Sequence, residues 1–241
     1  MDAIAKTPTH LDNRLLASLS AEEFSSLGRD LRQIDIPQGR TLYKPGDPIE
    51  EIYFPQSGLI SLLVVTEDGG QIETSTVGRE GAVGLHRGFG ERCSFTHATV
   101  QIAGRFSIIH GRPFERLVQS STTLRHAIGR YTEILWAETQ QVAACNAAHE
   151  AKARICRWLL QSADKIGSEF VPFTQEFLAQ MLGTRRTTVT LLAQLLQESG
   201  IIKYSRGKIQ ILDRKKLEEG ACECYRVLRY DKLRQKVGIK Y

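Results

Sequence analysis

The sequence predicts an α+β chain built in three successive parts. Short apolar runs separated by glycine and proline turns fill residues 32–110. A stretch over 123–148 then carries no proline and one internal glycine, Gly129. Beyond Phe173, two short helical patterns meet at Gly183 and lead into a basic hairpin.

The first part reads as strands over 33–36, 41–43, 51–54, 59–65, 71–77, 98–102 and 105–109. Pro37-Gln38-Gly39, Pro45-Gly46-Asp47-Pro48, Ser57-Gly58, Asp68-Gly69-Gly70 and Gly78 punctuate them. Many short strands at such spacing predict a β sandwich or jelly roll. Along the stretch 123–148, Leu124, Ile128, Tyr131, Leu135, Val142 and Cys145 recur at intervals of four, three, four, seven and three, interrupted by Glu138. A narrow seam of this kind suits two helices paired in a dimer. The competing reading, a helix packed on its own sheet, wants a broader stripe, and Ile134 and Trp136 broaden it. A second helical run over 150–165 carries Ile155, Trp158 and Leu159, with Ile166 just beyond. The expected division is 1–121, a β-roll; 122–148, the long helix and hinge; and 149–241, the final domain with a C-terminal extension.

In the final domain, Phe177, Leu178, Met181 and Leu182 form one apolar helical face, with Thr174 as N-cap. Gly183 can adopt the left-handed conformation that ends this helix. Thr184 then caps a second helix with apolar positions Val189, Leu192, Leu195 and Leu196, ended by Gly200. Ile201, Ile202 and Tyr204 lead through Ser205-Arg206-Gly207-Lys208 to Ile209 and Ile211, a hairpin tipped with cations. This is the pattern of a winged helix-turn-helix, which sets the N-terminal turn of its second helix into the DNA major groove. Thr184, Arg185, Arg206 and Lys208 are expected at phosphates, and Arg186, Thr187, Thr188 and Thr190 at base edges. Arg186 suits a bidentate contact to guanine.

Charge agrees with this placement. Residues 150–241 hold 18 Lys+Arg against 10 Asp+Glu, net +8, whereas residues 1–149 hold 14 against 17. A basic C-terminal part fits a polyanionic partner. No apolar run reaches the length of a membrane span, and the N-terminus MDAIAKTPTHLDNRLLASLS has no apolar signal core, so a cytoplasmic protein is expected. Five scattered cysteines, at 93, 145, 156, 222 and 224, then read as reduced thiols. No Gly-rich phosphate loop, HExxH, GxSxG or paired-carboxylate pattern supports an enzyme.

From Leu15 to Leu217 the chain resembles the cyclic-AMP receptor and fumarate-nitrate regulator (Crp/Fnr) family of bacterial transcription regulators. The resemblance rests on IPQGRTLYKPGDPIEEIYFPQSGLISLL in the β-roll, RICRWLL after the hinge, and FLAQMLGTRRTTVTLLAQLLQESGII in the reader. It implies a cyclic-nucleotide-binding-like sensor domain and a homodimer on a palindromic site. It also implies duplex DNA and RNA polymerase as partners, and an effector sensed by the β-roll. Where cyclic-AMP binders hold the ribose with Gly-Glu, this chain has Gly84-Leu85, and the phosphate-binding arginine falls at Arg92 or is replaced by Ser94, beside Phe95. On the long helix Thr139 matches a nucleobase contact, Gln140 replaces the next, and Leu135 stands in an arginine position. A cyclic phosphate buried without an ion pair is unfavourable. The expectation is therefore an unidentified small-molecule effector, less polar than cyclic AMP, and no firmly assigned cofactor. In the reader, Thr187 and Leu191 stand where the cyclic-AMP receptor has glutamate and arginine. The alternative class is a regulatory subunit acting through protein partners, which would not need the basic wing.

Cys222-Glu223-Cys224 lies in a basic tail over 214–241. Two thiols one residue apart can form half of a metal site, but no partner ligand lies nearby in sequence, so no metal is expected. His149 and Asn146 read as satisfied polar groups of the hinge. His86, His97, His110 and His126 are dispersed.

Overall fold

The computed structural model of the chain describes residues 9–67, 69–205 and 207–229. The chain divides into two compact units, one made of residues 1–60 with 77–131, the other of 61–76 with 132–241. This differs from the expected three-part division. The long helix is shared between the units, and the hairpin over 61–76 belongs with the C-terminal residues.

The first unit begins with helices α1 (Arg14–Ala17) and α2 (Ala21–Gly28). Asn13 caps α1 by accepting from Leu15 N and Leu16 N, while its amide donates to the Pro55 and Gly81 carbonyls at 2.9 and 2.8 Å. One buried side chain thus satisfies both a helix end and two loop carbonyls. Ser20 and Glu23 form a capping box on α2.

The strands are β1 (Arg32–Ile36), β2 (Thr41–Tyr43), β3 (Glu51–Pro55), β4 (Leu59–Val65), β5 (Gln71–Val77), β6 (His97–Ile102) and β7 (Gly104–His110). They form two sheets, ordered β1-β7-β3 and β2-β6-β4-β5. The first is antiparallel, with Arg32 opposite Ile108 and Glu51 opposite His110. Alternation turns Ile52, Phe54, Phe106 and Ile108 into the core. Helix α3 (Gly111–Ser120) adds Phe114, packed edge-on to Phe54 with ring centres 6.2 Å apart.

Helix α4 (Thr122–Ala148) starts at Ser121, whose hydroxyl accepts from Leu124 N at 2.9 Å. Its burial corrects the expected dimer seam. Leu124, Ile128, Tyr131, Val142 and Cys145 are buried within this one chain, and Leu135 is half-buried. The inward stripe also takes Ala127, Ile134 and Glu138, the breadth of a helix packed on its own core. Tyr131 lies against Gly81, where an added Cβ would fall 1.9 Å from its ring, so only glycine permits this approach. Glu138, which breaks the apolar series, is paired with Lys165 at 2.7 Å, both side chains nearly buried.

The second unit continues with α5 (Ala151–Ile166), β8 (Phe170–Val171), α6 (Gln175–Met181), α7 (Arg186–Glu198), β9 (Ile202–Ser205), β10 (Lys208–Ile211), α8 (Arg214–Gly220) and α9 (Cys224–Leu228). The small sheet is ordered β8-β10-β9. Trp158 meets Phe173 edge-on and Phe173 stacks on Phe177, with ring centres 4.5 and 5.3 Å apart. The Trp158 indole donates to the fully buried Glu73 at 2.6 Å, and the Ser61 hydroxyl donates to the other carboxylate oxygen at 2.6 Å. Burial raises the Glu73 carboxyl to about 7, against the pull of those donors. Arg214 joins α8 to α5 through Asp164 and also holds Glu169, Glu218 and the Tyr225 hydroxyl.

Candidate functional site

The reader is built by a turn that only certain residues permit. Thr174 caps α6, its hydroxyl accepting from Phe177 N at 3.2 Å, as the sequence implies. Gly183 takes φ +56° and the chain reverses, with Thr184 N bonded to the Ala179 carbonyl at 2.9 Å. The N-cap of α7 is Arg185 rather than Thr184, and it makes no side-chain cap bond. The first-turn N–H groups of α7 therefore receive no cap from the Arg185 side chain, and Arg185, Arg186 and Thr187 are all exposed. Val189, Ala193 and Leu196 face inward, Leu192 is half-buried, and Leu195 is 43% exposed, correcting its assignment to the apolar face. Thr188 is half-buried. The Thr190 hydroxyl is already engaged, donating to Gln175 at 2.7 Å and to the Arg186 carbonyl at 3.0 Å. It fastens α7 to α6, a role its position among base-edge residues did not suggest. Leu191, 57% exposed, and Gln194 share the outward face instead. Gln194 follows Thr187 by seven residues, two helical turns, and that spacing could have identified it.

The wing is the β9–β10 hairpin, paired from Ser205–Lys208 to Ile202–Ile211, with Gly207 at φ +76°. Lys208 and Lys203 are exposed on it. Arg206 lies outside the described residues. Lys203 was not singled out in the sequence, although it faces Gln210 two register steps from the Ser205–Lys208 pair of the same hairpin.

The expected effector residues fall in both units. Gly84, Leu85, Arg92, Ser94 and Phe95 are in the first; Leu135 and Thr139 are in the second. Gly84 takes φ +87° and Leu85 is buried. Arg92 is exposed. The Ser94 hydroxyl donates to the Thr96 carbonyl at 2.9 Å, and the Thr139 hydroxyl to the Leu135 carbonyl at 2.9 Å. Phe95 is 74% exposed, so the expected apolar lining at that residue is corrected. The buried arginine of this unit, Arg87, is taken by Glu115. These five residues of the first unit do not fit a cyclic nucleotide. They offer no ribose carboxylate and no buried cation for the phosphate.

A further group forms where the sequence predicted only reduced thiols. The Cys145, Cys222 and Cys224 sulfurs and a ring nitrogen of His149 all lie within 4.8 Å of one another. Cys145 Sγ is 3.5 Å from Cys222 Sγ, and Cys224 Sγ is 3.7 Å from His149 Nδ1. No disulfide joins them. The partners that seemed missing beside Cys222 and Cys224 are Cys145 in the last turn of α4, 77 residues from Cys222, and His149 just after that helix. His149 is thus a member of this cluster rather than a lone hinge group.

This pairing of a two-sheet roll and long helix with a winged helix-turn-helix defines a class, the transcription regulators with a cyclic-nucleotide-binding-like domain. Residues 33–121 match the family of cyclic nucleotide-binding domains, and residues 153–219 match the Crp-like helix-turn-helix domain. The chain belongs to the Crp/Fnr family of transcription regulators. It is 25% identical over 216 residues to Electron transport regulator A of Shewanella oneidensis, covering 83% of each chain. Its fold is similar to FixK2 from Bradyrhizobium japonicum, with TM-score 0.68, 14% identity and coverage of 80% of this chain and 98% of that one. It is also similar to the c-di-GMP responsive global regulator CLP of Xanthomonas campestris, with TM-score 0.64, 18% identity and coverage of 80% and 99%. No described helix is long and apolar enough to cross a membrane.

Proposed function

We propose that the chain acts as a homodimer that binds a palindromic duplex-DNA operator and recruits or blocks RNA polymerase there. The observation that carries this reading is the exposure of Arg185, Arg186 and Thr187 at the start of α7, together with that of Lys203 and Lys208 on the wing. Cations and open N–H groups at that position suit phosphate oxygens and purine edges together. Arg185, Lys203, Lys208 and Arg206 would set register on the backbone. Arg186 would read a guanine, and Leu191 would meet a thymine methyl. Such a protein works in the cytoplasm and has no need of catalytic groups.

The dimer would form through the outward stripe of α4, not the inward one. His126, Gly129, Glu133, Trp136, Gln140, Ala143 and Ala147 are all exposed and recur at alternating intervals of three and four. That is the seam of a two-stranded helix pair, with small residues allowing close approach around Trp136. The effector would be something other than cyclic AMP, because Leu85 leaves the ribose without a carboxylate and Arg87, engaged by Glu115, leaves the cyclic phosphate without a buried countercharge.

Selection of binding sites from random duplexes tests the proposal. The expected product is a palindrome whose half-sites lie about one helical turn apart. A spacing-free or non-palindromic motif would overturn the dimer, and absence of duplex binding with and without cell extract would overturn the reader. Titration calorimetry with cyclic AMP should show no saturable micromolar binding; saturation with a gain in DNA affinity would overturn the effector assignment.

A further inference from the structure

The thiol–imidazole group at the end of α4 has the composition and size of a metal shell. Cys145 and His149 are four apart on one helical face, and the bond from His149 N to the Cys145 carbonyl at 3.1 Å keeps that turn helical. Cys222 and Cys224 flank Glu223 in a turn closed by the bond from Tyr225 N to the Cys222 carbonyl at 3.0 Å. The two segments meet in a small apolar cluster with Val142 and Leu228. Within that cluster three sulfurs and one imidazole nitrogen, all soft or borderline donors, converge on one point.

The distances discriminate among occupants. Zinc–sulfur bonds of about 2.3 Å set ligand atoms about 3.8 Å apart on a tetrahedron. The contacts of 3.5 and 3.7 Å match that edge, and the remaining pairs lie within 4.8 Å, close enough for a single ion to gather all four atoms. An iron–sulfur cluster spreads its protein ligands over two or more irons and needs a wider cage. Three thiolates and one imidazole select zinc over the oxygen-seeking magnesium and calcium.

The surroundings are those of a supported site. His149 Nε2 meets the Glu223 carboxylate at 3.2 Å, which leaves Nδ1 directed at Cys224. A carboxylate behind a ligating histidine fixes its tautomer and orientation. The Gln141 amide donates to Cys224 Sγ at 3.0 Å, a bond that favours a thiolate. Arg154 lies close enough to act electrostatically on Cys145 and Cys222, countering the single negative charge of a zinc ion with three thiolates.

We propose that Cys145, His149, Cys222 and Cys224 bind one zinc ion in a closed, four-ligand structural site. Binding takes one Zn²⁺, releases the three thiol protons to solvent, and leaves the complex with net charge −1. All four positions are filled by protein, so the ion has no open place for a substrate. It clamps the segment beginning at Cys222 to the end of α4.

The test uses the full chain purified under reducing conditions. Elemental analysis should give about one zinc per chain, retained through dialysis. Cobalt substitution should give the intense visible bands and sulfur-to-metal charge transfer of a tetrahedral thiolate site. The double variant C222S/C224S should lose both signals, while C93S and C156S keep them. The milder Glu223→Gln should weaken zinc binding about 10–100-fold in competition with a chromogenic chelator, with unchanged circular dichroism, so a misfolded variant does not decide the matter. A folded wild-type chain that fails to compete with the chelator would overturn the proposal. So would unchanged zinc affinity in C222S/C224S, or iron accompanied by acid-labile sulfide.

Discussion

Glu73 is a carboxyl group that burial keeps protonated to higher pH than in the unfolded chain. Fully buried, with Trp158 and Ser61 as donors, it is raised from 4.5 to about 7. An acid raised on folding is more readily ionised in the unfolded chain. Between the two values the unfolded state releases the proton first, so stability falls as pH rises from about 4.5 to 7 and levels off above. The full shift corresponds to at most about 3 kcal/mol. Glu73→Gln should therefore flatten the pH dependence, gaining most over wild type near pH 8. Urea midpoints at pH 5 and 8 measure it, and an equal decline in both proteins would assign the slope elsewhere. The residue scale also shows what letters conceal. Thr190 reads as one more hydroxyl on a recognition helix, yet its bond to Gln175 makes it a brace between α6 and α7. Nothing in its own position predicts a partner 15 residues back. The same holds for Phe95, whose apolar side chain is turned to solvent.

Among elements, the seven strands of residues 32–110 and the wing hairpin were legible to within a residue or two, because glycine and proline turns bound each run and alternation fixes its faces, whereas the two-residue β8 was not. Helix α4 was legible as a helix but not in its orientation. Its large apolar letters lie on the stripe buried within the chain, while the exposed stripe carries Gly129, Ala143 and Ala147 around one Trp136. A three-four apolar repeat records that a face is covered, not what covers it. The two faces predict different failures. Ala143→Glu should shift the chain toward monomer in sedimentation without lowering its melting temperature as monomer. Val142→Ala should leave association intact and lower stability by about 1 kcal/mol or more, since it opens a packed cluster. Helix α7 and the wing make a second pair of expectations. Lys208→Ala should weaken binding on all duplexes and lower the salt slope by about 1. Arg186→Ala should cost about 1–3 kcal/mol on the selected site and little on random DNA. Equal losses on both duplexes would remove Arg186 from base reading.

At the scale of the whole molecule, the order of parts and the charge asymmetry were legible, and the thiol cluster was not. The net charge of +8 after His149 is a sum over letters, available without a structure. Cys145 and Cys222 stand 77 residues apart, and only the folded course of the C-terminal segment brings them together. That course also gives the cluster a route to the reader. Arg154, under the electrostatic influence of Cys145 and Cys222, donates through its guanidinium to the carbonyl of Leu182, the residue before the Gly183 reversal. The group that balances the thiolate charge therefore also holds the turn between α6 and α7. Losing the ion would return the sulfurs to neutral thiols and leave the Arg154 guanidinium, half-buried, without a countercharge beside it. Chelation should then lower the melting temperature and weaken operator binding about 5-fold or more, the lower range of coupling between linked sites. Arg154→Lys, which keeps the charge but not the planar fork, should bind zinc normally and show weak operator binding before chelation. Thermal melts and fluorescence anisotropy on the same samples separate the two effects. Operator affinity that survives zinc removal, at an unchanged dimer fraction, would leave the ion as a clamp on the C-terminal segment with no path through Arg154.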